Sequence, residues 1–249
     1  MSKTDNYRIY TIGDIHGCLD QLLRVQALID ADLAKNPHPN PLVIYLGDYM
    51  DRGPENRAVL ENLIVAKSAN LPARFLFGNH DNYINLFLDN PTSMHGRMLH
   101  WLDPRMGGEK TLESYGVPNA VEQTAEVSRD LFAAAIPDAH RLFLNKCELS
   151  IHIGGYFFAH AGVHPDVALK DQKFDDLIWI REPFLSHDEG FGAIVVHGHT
   201  PVKTVENHGN RIAVDTGAVF GRKLSCVILE DDGQWLLEAA GRVDCPVMS

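Results

Sequence analysis

Disulfide chemistry is all but excluded by how little cysteine this chain has. Four residues in 249, Cys18, Cys147, Cys226 and Cys245, lie far apart with no CxxC pair. Small secreted domains held by bridges carry more cysteines at closer spacing, so reduced thiols and a cytoplasmic setting are expected. Long apolar runs are missing too, and none approaches the roughly 20 residues that cross a bilayer. Met1 to Tyr10 is polar and charged, with no apolar signal core. Positive charge is in short supply: Lys and Arg number 22 against 33 Asp and Glu, a net charge of −11. An acidic chain is a poor partner for anionic membranes or for sequence-independent nucleic-acid binding, so neither is expected. Bound divalent cations would add local positive charge that this sum ignores.

The rest of the composition is that of a folded protein, with 45% apolar and 22% charged residues and no repeat or low-complexity stretch. The length allows a substantial core, and the chain reads as a single domain over 1–249. Its first third alternates strand and helix signals. Strands are expected over 8–12, 42–46 and 73–77, and helices over 19–35 and 55–69, with Asn36-Pro37-His38-Pro39-Asn40-Pro41 breaking the first helix. This βαβαβ order predicts a parallel sheet covered by helices. Residues 82–145 read as an inserted helical cap, with helices over 82–88, 97–102 and 121–135. Within it, Tyr83, Met94, Met98 and Trp101 form either an apolar wall over substrate or a plain helix-packing stripe. From Glu148 the signals turn to β. A hairpin is expected at Gly154-Gly155, followed by strands over 193–196, 211–214, 225–229 and 235–238 and a last turn at Asp231-Asp232-Gly233.

What the chain has in quantity is histidine, thirteen in all, the commonest metal ligand and a frequent acid–base group. Five short segments place His, Asp or Asn beside Gly or Ala after an expected strand. They are Gly13-Asp14-Ile15-His16-Gly17, Gly47-Asp48-Tyr49-Met50-Asp51-Arg52-Gly53, Gly78-Asn79-His80-Asp81, His160-Ala161-Gly162 and His197-Gly198-His199-Thr200. Loops at the carboxyl ends of strands are where open α/β sheets build their sites. Asp14 and His16 are two apart and share a face on extended backbone, so both can reach one ion. Asp48 has lone pairs enough to bridge two ions, and Asn79, His160 and His199 complete a second. Mixed oxygen and imidazole donors suit Mn, Fe, Zn or Ni better than Ca or Mg. Such an ion pair activates water and clamps a transferring phosphoryl group. His80, next to Asn79 and pointing away from it on an extended backbone, is free to act as a general acid. Asp51 would keep it protonated, and Arg52 and Arg181 would hold phosphate oxygens. Taken singly, Asp and Asn beside Gly are ordinary turn residues; the ordered set of five is what carries the metal reading.

These residues resemble the metallophosphoesterase superfamily. Within it they resemble the phosphoprotein phosphatase family, which includes the phage lambda and eukaryotic serine/threonine phosphatases and the bacterial diadenosine tetraphosphatases. The pattern GDxHG, GDxxDRG, GNH[ED], a later HxG and a GH stands here in order, over about residues 8–82 and 148–220. The resemblance implies an α/β/β/α sandwich with two metals at one edge. Asp14, His16 and Asp48 would hold the first metal, and Asp48, Asn79, His160 and His199 the second. His80 and Asp51 would form the acid pair, and Arg52 and Arg181, with Asn79, would face substrate phosphate. Two divalent ions, Mn before Fe, Zn or Ni, are the expected cofactors.

Two departures bear on substrate. Many protein phosphatases of the family carry Arg before Gly-Asn-His, where this chain has Phe77, and the motif ends in Asp81 and not Glu. The tetraphosphatase branch shares both features but often lacks the carboxylate that stands here as Asp51. The expectation is hydrolysis of phosphate monoesters, including phosphoserine and phosphothreonine in proteins, with dinucleoside polyphosphates as the alternative. A metal-binding scaffold without catalysis is the rival of another class, and such scaffolds usually lack ligands that are all present here. His197 is either a hydrogen-bonding partner of the site or a core histidine, Asp215-Thr216-Gly217 reads as a turn, and His164 as a loop residue. The sequence leaves the oligomeric state open.

Overall fold

The computed structural model describes residues 3–92 and 99–248. Met94, Met98 and the start of the helix expected over 97–102 lie outside the described residues; within them, 101–102 form a turn and not a helix. The chain begins β1 (Arg8–Ile12), α1 (Leu19–Lys35), β2 (Pro41–Tyr45), α2 (Asn56–Lys67) and β3 (Ala73–Phe75). The three strands pair in parallel, as the alternating pattern predicts. A helical segment follows: α3 (Asn79–Asp89), α4 (Gly108–Ser114), α5 (Ala125–Ala135) and α6 (Asp138–Asn145). Then come β4 (Ser150–Ile153), β5 (Tyr156–Ala159), α7 (Phe174–Trp179), β6 (Ile194–His197), β7 (Glu206–Asn207), β8 (Arg211–Ala213), β9 (Cys226–Glu230), β10 (Gly233–Glu238) and β11 (Gly241–Asp244).

The strands form one six-stranded sheet, β11-β10-β9-β1-β2-β3, and one five-stranded sheet, β4-β5-β6-β8-β7. The first is therefore mixed and not purely parallel, because the C-terminal strands return to it and β9 pairs antiparallel with β1. Period-two patterning sorts the side chains into layers. Ile9, Leu42, Ile44, Leu46, Val227 and Leu229 of the first sheet meet Ile151, Tyr156, Phe158, Val196 and Ile212 of the second. Their sequence neighbours Tyr10, Ile12, Val43, Tyr45, Phe75 and Ile228 face the helices, and Phe157, Ala159 and Val195 pack beneath α7. This is the α/β/β/α sandwich. Each large aliphatic or aromatic side chain buried between the sheets contributes roughly 1.5–3 kcal/mol relative to exposure.

The helical segment does not stand apart. Trp101, Leu112, Tyr115, Phe132 and Phe143 share one hydrophobic cluster with Tyr10, Val43, Tyr45, Leu60 and Leu63. Helix α5 starts later than expected, because Thr124 Oγ1 accepts the Val127 N–H at 3.3 Å and caps it. Helices α4 and α6, of 7 and 8 residues, are too short to show helical periodicity. All four cysteines are free. Among the described residues no helix is long and apolar enough to cross a membrane.

Candidate active site

The parallel strands of both sheets end at one edge, and the five motif loops meet there. The loops interlock through backbone: the N–H groups of Ile15 and His16 both donate to Asp48 O, at 3.1 and 2.9 Å. Five non-glycine residues of these loops have positive φ, namely His16 (45°), Asp48 (50°), Asp51 (73°), Arg52 (66°) and His199 (62°). Such conformations cost roughly 1–3 kcal/mol each and persist only where the surroundings impose them. Two glycines are fixed by close approach. A Cβ at Gly78 would stand 2.2 Å from Asp48 Oδ1, and one at Gly198 2.0 Å from Asp14 Oδ1.

One expectation needs correction. Gly78-Asn79-His80-Asp81 is not an extended loop, since Asn79 already opens α3. The Asp81 carboxylate takes the Gly78 N–H at 3.0 Å and closes the first helical turn. Successive side chains there diverge by about 100° and not 180°. That still sends Asn79 toward His160 and His199, and His80 toward Asp51.

Asp48 sits at the centre. Its Oδ2 lies 3.5 Å from His16 Nε2 and its Oδ1 3.4 Å from His160 Nε2, so its two oxygens face opposite sides. The imidazoles are set by backbone: His16 Nδ1 lies 2.6 Å from Met50 O and His160 Nδ1 2.9 Å from Leu46 O. Each Nδ1–H therefore donates outward and turns Nε2 inward. Asn79 Oδ1 is 3.0 Å from His160 Nε2 and 2.8 Å from His199 Nδ1. Two groups have ligand atoms within 4.8 Å of one another, His16–Asp48–His80 and Asp48–His160–His199. Asp14 lies outside both. Its Oδ2 accepts the His199 N–H at 3.0 Å.

Burial and mutual proximity shift most ionisable groups of this cluster. Burial, reinforced by Asp215, pushes the Asp14 carboxyl well above its usual range. Burial and Asp48 push Asp81 up to about 7, and burial raises Asp215 to about 6. Asp48 is held well below the carboxylate range: burial opposes its ionisation, but His160, His80 and His16 outweigh it. Burial works against a charge on His160 as well, yet Asp48 and Asp14 raise it to about 10. Burial, with Arg52 beside His16 and His160 beside His199, keeps those two imidazoles well below their ordinary value. Neutral imidazole is the ligating form. Asp14 Oδ1 and His199 Nε2 are buried without a hydrogen-bond partner. Buried polar atoms are rarely left so, and these two sit where lone pairs would meet a cation. The donor set fits a pair of divalent metals.

His80 and Asp51 form the expected pair, with Nδ1 2.7 Å from Asp51 Oδ2. The sequence did not reveal what holds Asp51. Trp101 Nε1–H donates to Oδ2 at 2.8 Å, and Thr111 Oγ–H donates to Oδ1 at 2.6 Å. Both donors come from the segment between α3 and α5. A Trp in an apolar stripe was the available signal, since a buried indole N–H needs an acceptor. Thr111→Val leaves one Asp51 oxygen unsatisfied, a change of about 1–3 kcal/mol. It is expected to slow hydrolysis of an alkyl phosphate roughly tenfold, with much less effect on an aryl phosphate whose leaving group needs no proton. Thr111→Ser restores the rate. Equal loss on both substrates would show that Thr111 serves folding and not the acid pair.

Arg52 Nη1 and Nη2 donate to His16 Nε2 at 2.7 Å and His80 Nε2 at 2.8 Å. The guanidinium thus lies across the cluster. It opens onto a cavity of about 160 Å³. Arg181 lines that cavity together with Asp48, Asn79, His80 and His199, and Arg105, which the sequence reading passed over, joins them. Tyr83 lines it too, as the wall reading has it, whereas Trp101 is buried in the core. Phe77 is buried against Phe174, with ring centroids 6.4 Å apart. His197 is a core histidine stacked edge-on against Phe184, and burial lowers it to about 3. Asp215 does form a turn, accepting the Gly217 N–H at 2.8 Å. His164 caps its own loop.

A two-sheet sandwich with a buried Asp/His/Asn cluster at the shared strand edge defines a metal-dependent hydrolase of phosphate esters. The chain belongs to the calcineurin-like phosphoesterase family, whose match runs over residues 7–233. It is 27% identical over 241 residues to an asymmetrical bis(5'-nucleosyl)-tetraphosphatase of Bacillus velezensis, covering 86% of each chain. It is 26% identical to one of Oceanobacillus iheyensis, covering 88% of this chain and 87% of that one. Among solved structures it shares its fold with a cold-active protein-tyrosine phosphatase of Shewanella (TM-score 0.64, 18% identity, 97% of this chain and 82% of that one). A protein serine/threonine phosphatase of Saccharomyces cerevisiae shares it as well (TM-score 0.54, 15% identity, 98% and 82%).

Proposed function

We propose that this phosphoesterase hydrolyses dinucleoside polyphosphates, cleaving a phosphoanhydride bond with water. The observation that carries the reading is the cavity wall: Arg52, Arg105 and Arg181 surround about 160 Å³. A monoester presents one phosphate, which one or two guanidiniums can hold, whereas a polyphosphate chain spreads its charge along a line. Two further points support it. The buried Phe77 supplies no cation where many protein phosphatases have one. The bis(5'-nucleosyl)-tetraphosphatases resemble this chain over most of its length.

In this reading Asp48 would serve both of two divalent metals, with Asp14 and His16 holding one and Asn79, His160 and His199 the other. Mn, Fe, Zn and Ni match the donor types, with Mn the expected occupant. When bound, the ions supply Lewis acidity and lower the pKa of water. Arg52 exchanges its two imidazole acceptors for phosphate oxygens, Arg181 takes oxygens further along the chain, and Arg105 does so on leaving its pair with Asp103, which it now meets at 2.9 and 2.8 Å. Releasing His80 Nε2 from Arg52 lets that nitrogen carry a proton to the departing oxygen. Asp51 fixes the ring through Nδ1 and stabilises its charge.

A second reading, hydrolysis of phosphomonoesters including phosphoserine and phosphothreonine, rests on that same pair. An alkoxide leaving group needs a proton far more than a nucleotide phosphate does. The test compares kcat/KM of Mn-loaded protein for diadenosine tetraphosphate, a phosphoserine peptide and an aryl phosphate under one condition. The dinucleotide is expected to lead by roughly tenfold or more, the size of one added charge-assisted contact. A preference for the peptide would reverse the order of the two readings.

A further inference from the structure

Phe220 is 59% exposed although it stands beside the site. It ends the short 3-10 turn Ala218–Phe220. The Arg52 guanidinium lies 5.8 Å from its ring centroid, and the same guanidinium donates to His16 and His80. One planar group therefore separates the ring from the imidazoles of the cluster.

The turn that carries Phe220 is fixed. Gly217 N–H donates to Asp215 Oδ1 at 2.8 Å, Phe220 N–H to Gly217 O at 2.9 Å and Gly221 N–H to Ala218 O at 3.1 Å. Gln21 Nε2 donates to Ala218 O at 3.2 Å. Gly217 and Gly221, with φ of 72° and 82°, turn the chain on either side of it. The chain thus fixes the backbone that presents a large, mostly exposed apolar ring next to a cation that opens onto the phosphate cavity.

We propose that Phe220 is a stacking platform for a nucleobase of the substrate. A π face covered on one side by a guanidinium and exposed on the other, with an arginine-lined cavity one side chain away, suits a nucleotide: base on the open face of the ring, phosphates on the arginines. Phosphoserine has no ring to lay there. The platform rests on the dinucleoside polyphosphate reading and adds to it the residue that recognises the base.

The test uses the full chain loaded with Mn, as wild type, Phe220→Ala and Phe220→Trp, on diadenosine tetraphosphate and on inorganic tetrapolyphosphate, which has no base. Base–aromatic stacking is worth roughly 5- to 150-fold. In Phe220→Ala the ratio of kcat/KM for the dinucleotide to that for tetrapolyphosphate is expected to fall about tenfold, chiefly through KM. Phe220→Trp restores the ratio. Adenosine monophosphate is expected to inhibit wild type more tightly than ribose 5-phosphate, and Phe220→Ala to erase that advantage. If wild type hydrolyses the dinucleotide and the ratio is unchanged in Phe220→Ala, the platform is overturned and the substrate reading stands. Equal loss on both substrates makes Phe220 structural and overturns it too. If wild type fails to hydrolyse the dinucleotide, both fall together.

Discussion

Asp48→Asn is expected to lower phosphate-ester hydrolysis by roughly a thousandfold, about 4 kcal/mol at 1.36 kcal/mol per decade. Its metal content should fall with its rate. The size follows from position: the two carboxylate oxygens face His16 on one side and His160 on the other, at 3.5 and 3.4 Å. An amide turns a neutral N–H₂ group toward one of these sides and removes the charge shared by both. The fold should survive, because Asn still offers an oxygen to the His80 N–H, which donates to Asp48 Oδ1 at 2.9 Å. A second readout needs no metal. His160 is raised to about 10, against the pull of burial, chiefly by Asp48, so in metal-free Asp48→Asn protein its NMR titration should move down. Metal analysis, rate and melting temperature together decide the matter. A variant with full metal content and normal turnover would remove Asp48 from the bridging position.

His80→Asn carries the second large effect. General acid catalysis by a positioned side chain contributes roughly 10²–10⁴-fold, and a loss in that range is expected for substrates whose leaving oxygen is strongly basic. For aryl phosphates with acidic phenols the loss should shrink toward nothing. The slope of log kcat against leaving-group pKa should steepen in the variant, because the enzyme no longer neutralises the departing charge. Asn is a suitable probe because its amide can keep a hydrogen bond to Asp51 while carrying no transferable proton. A uniform loss across all leaving groups would instead mean that His80 serves metal binding, as its place in the His16–Asp48–His80 group also allows.

Much of this was legible in the residues, for physical reasons that differ from part to part. The layers of the sandwich were readable in β1 and β2, because Ile9 and Tyr10, or Val43 and Ile44, must face opposite ways on a pleated strand. The convergence of Asp14, His16, Asp48, Asn79, His160 and His199 was readable because each follows a strand and chain connectivity sends parallel strands to one edge. The antiparallel strands β9 to β11 were not placed in the first sheet, since nothing local in Cys226–Glu230 names β1 as its partner. The turn of α3 that presents His80 was missed because Asp81 holds it through backbone N–H groups, and a carboxylate after Gly reads equally well as a loop. Thr111 and Arg105 were passed over, and Trp101 was read only as apolar wall or packing stripe, for a common reason. They belong to short or irregular pieces between α3 and α5, where no period or motif fixes direction. Only tertiary packing brings them to Asp51 and to the cavity.

The pairing of β1 with β9 also sets a timetable. Arg8 stands opposite Glu230, and Ile12 opposite Cys226. While the chain is being synthesised, β1 can acquire β2 within a few dozen residues, but its other edge has no partner until Cys226–Glu230 has emerged. Contacts of such long sequence separation form late and slow the search for the native state. Until then the first half carries an apolar strand edge of the kind that seeds aggregation. Productive expression therefore depends on how quickly the last strands reach β1, and slower synthesis of the second half prolongs that exposure.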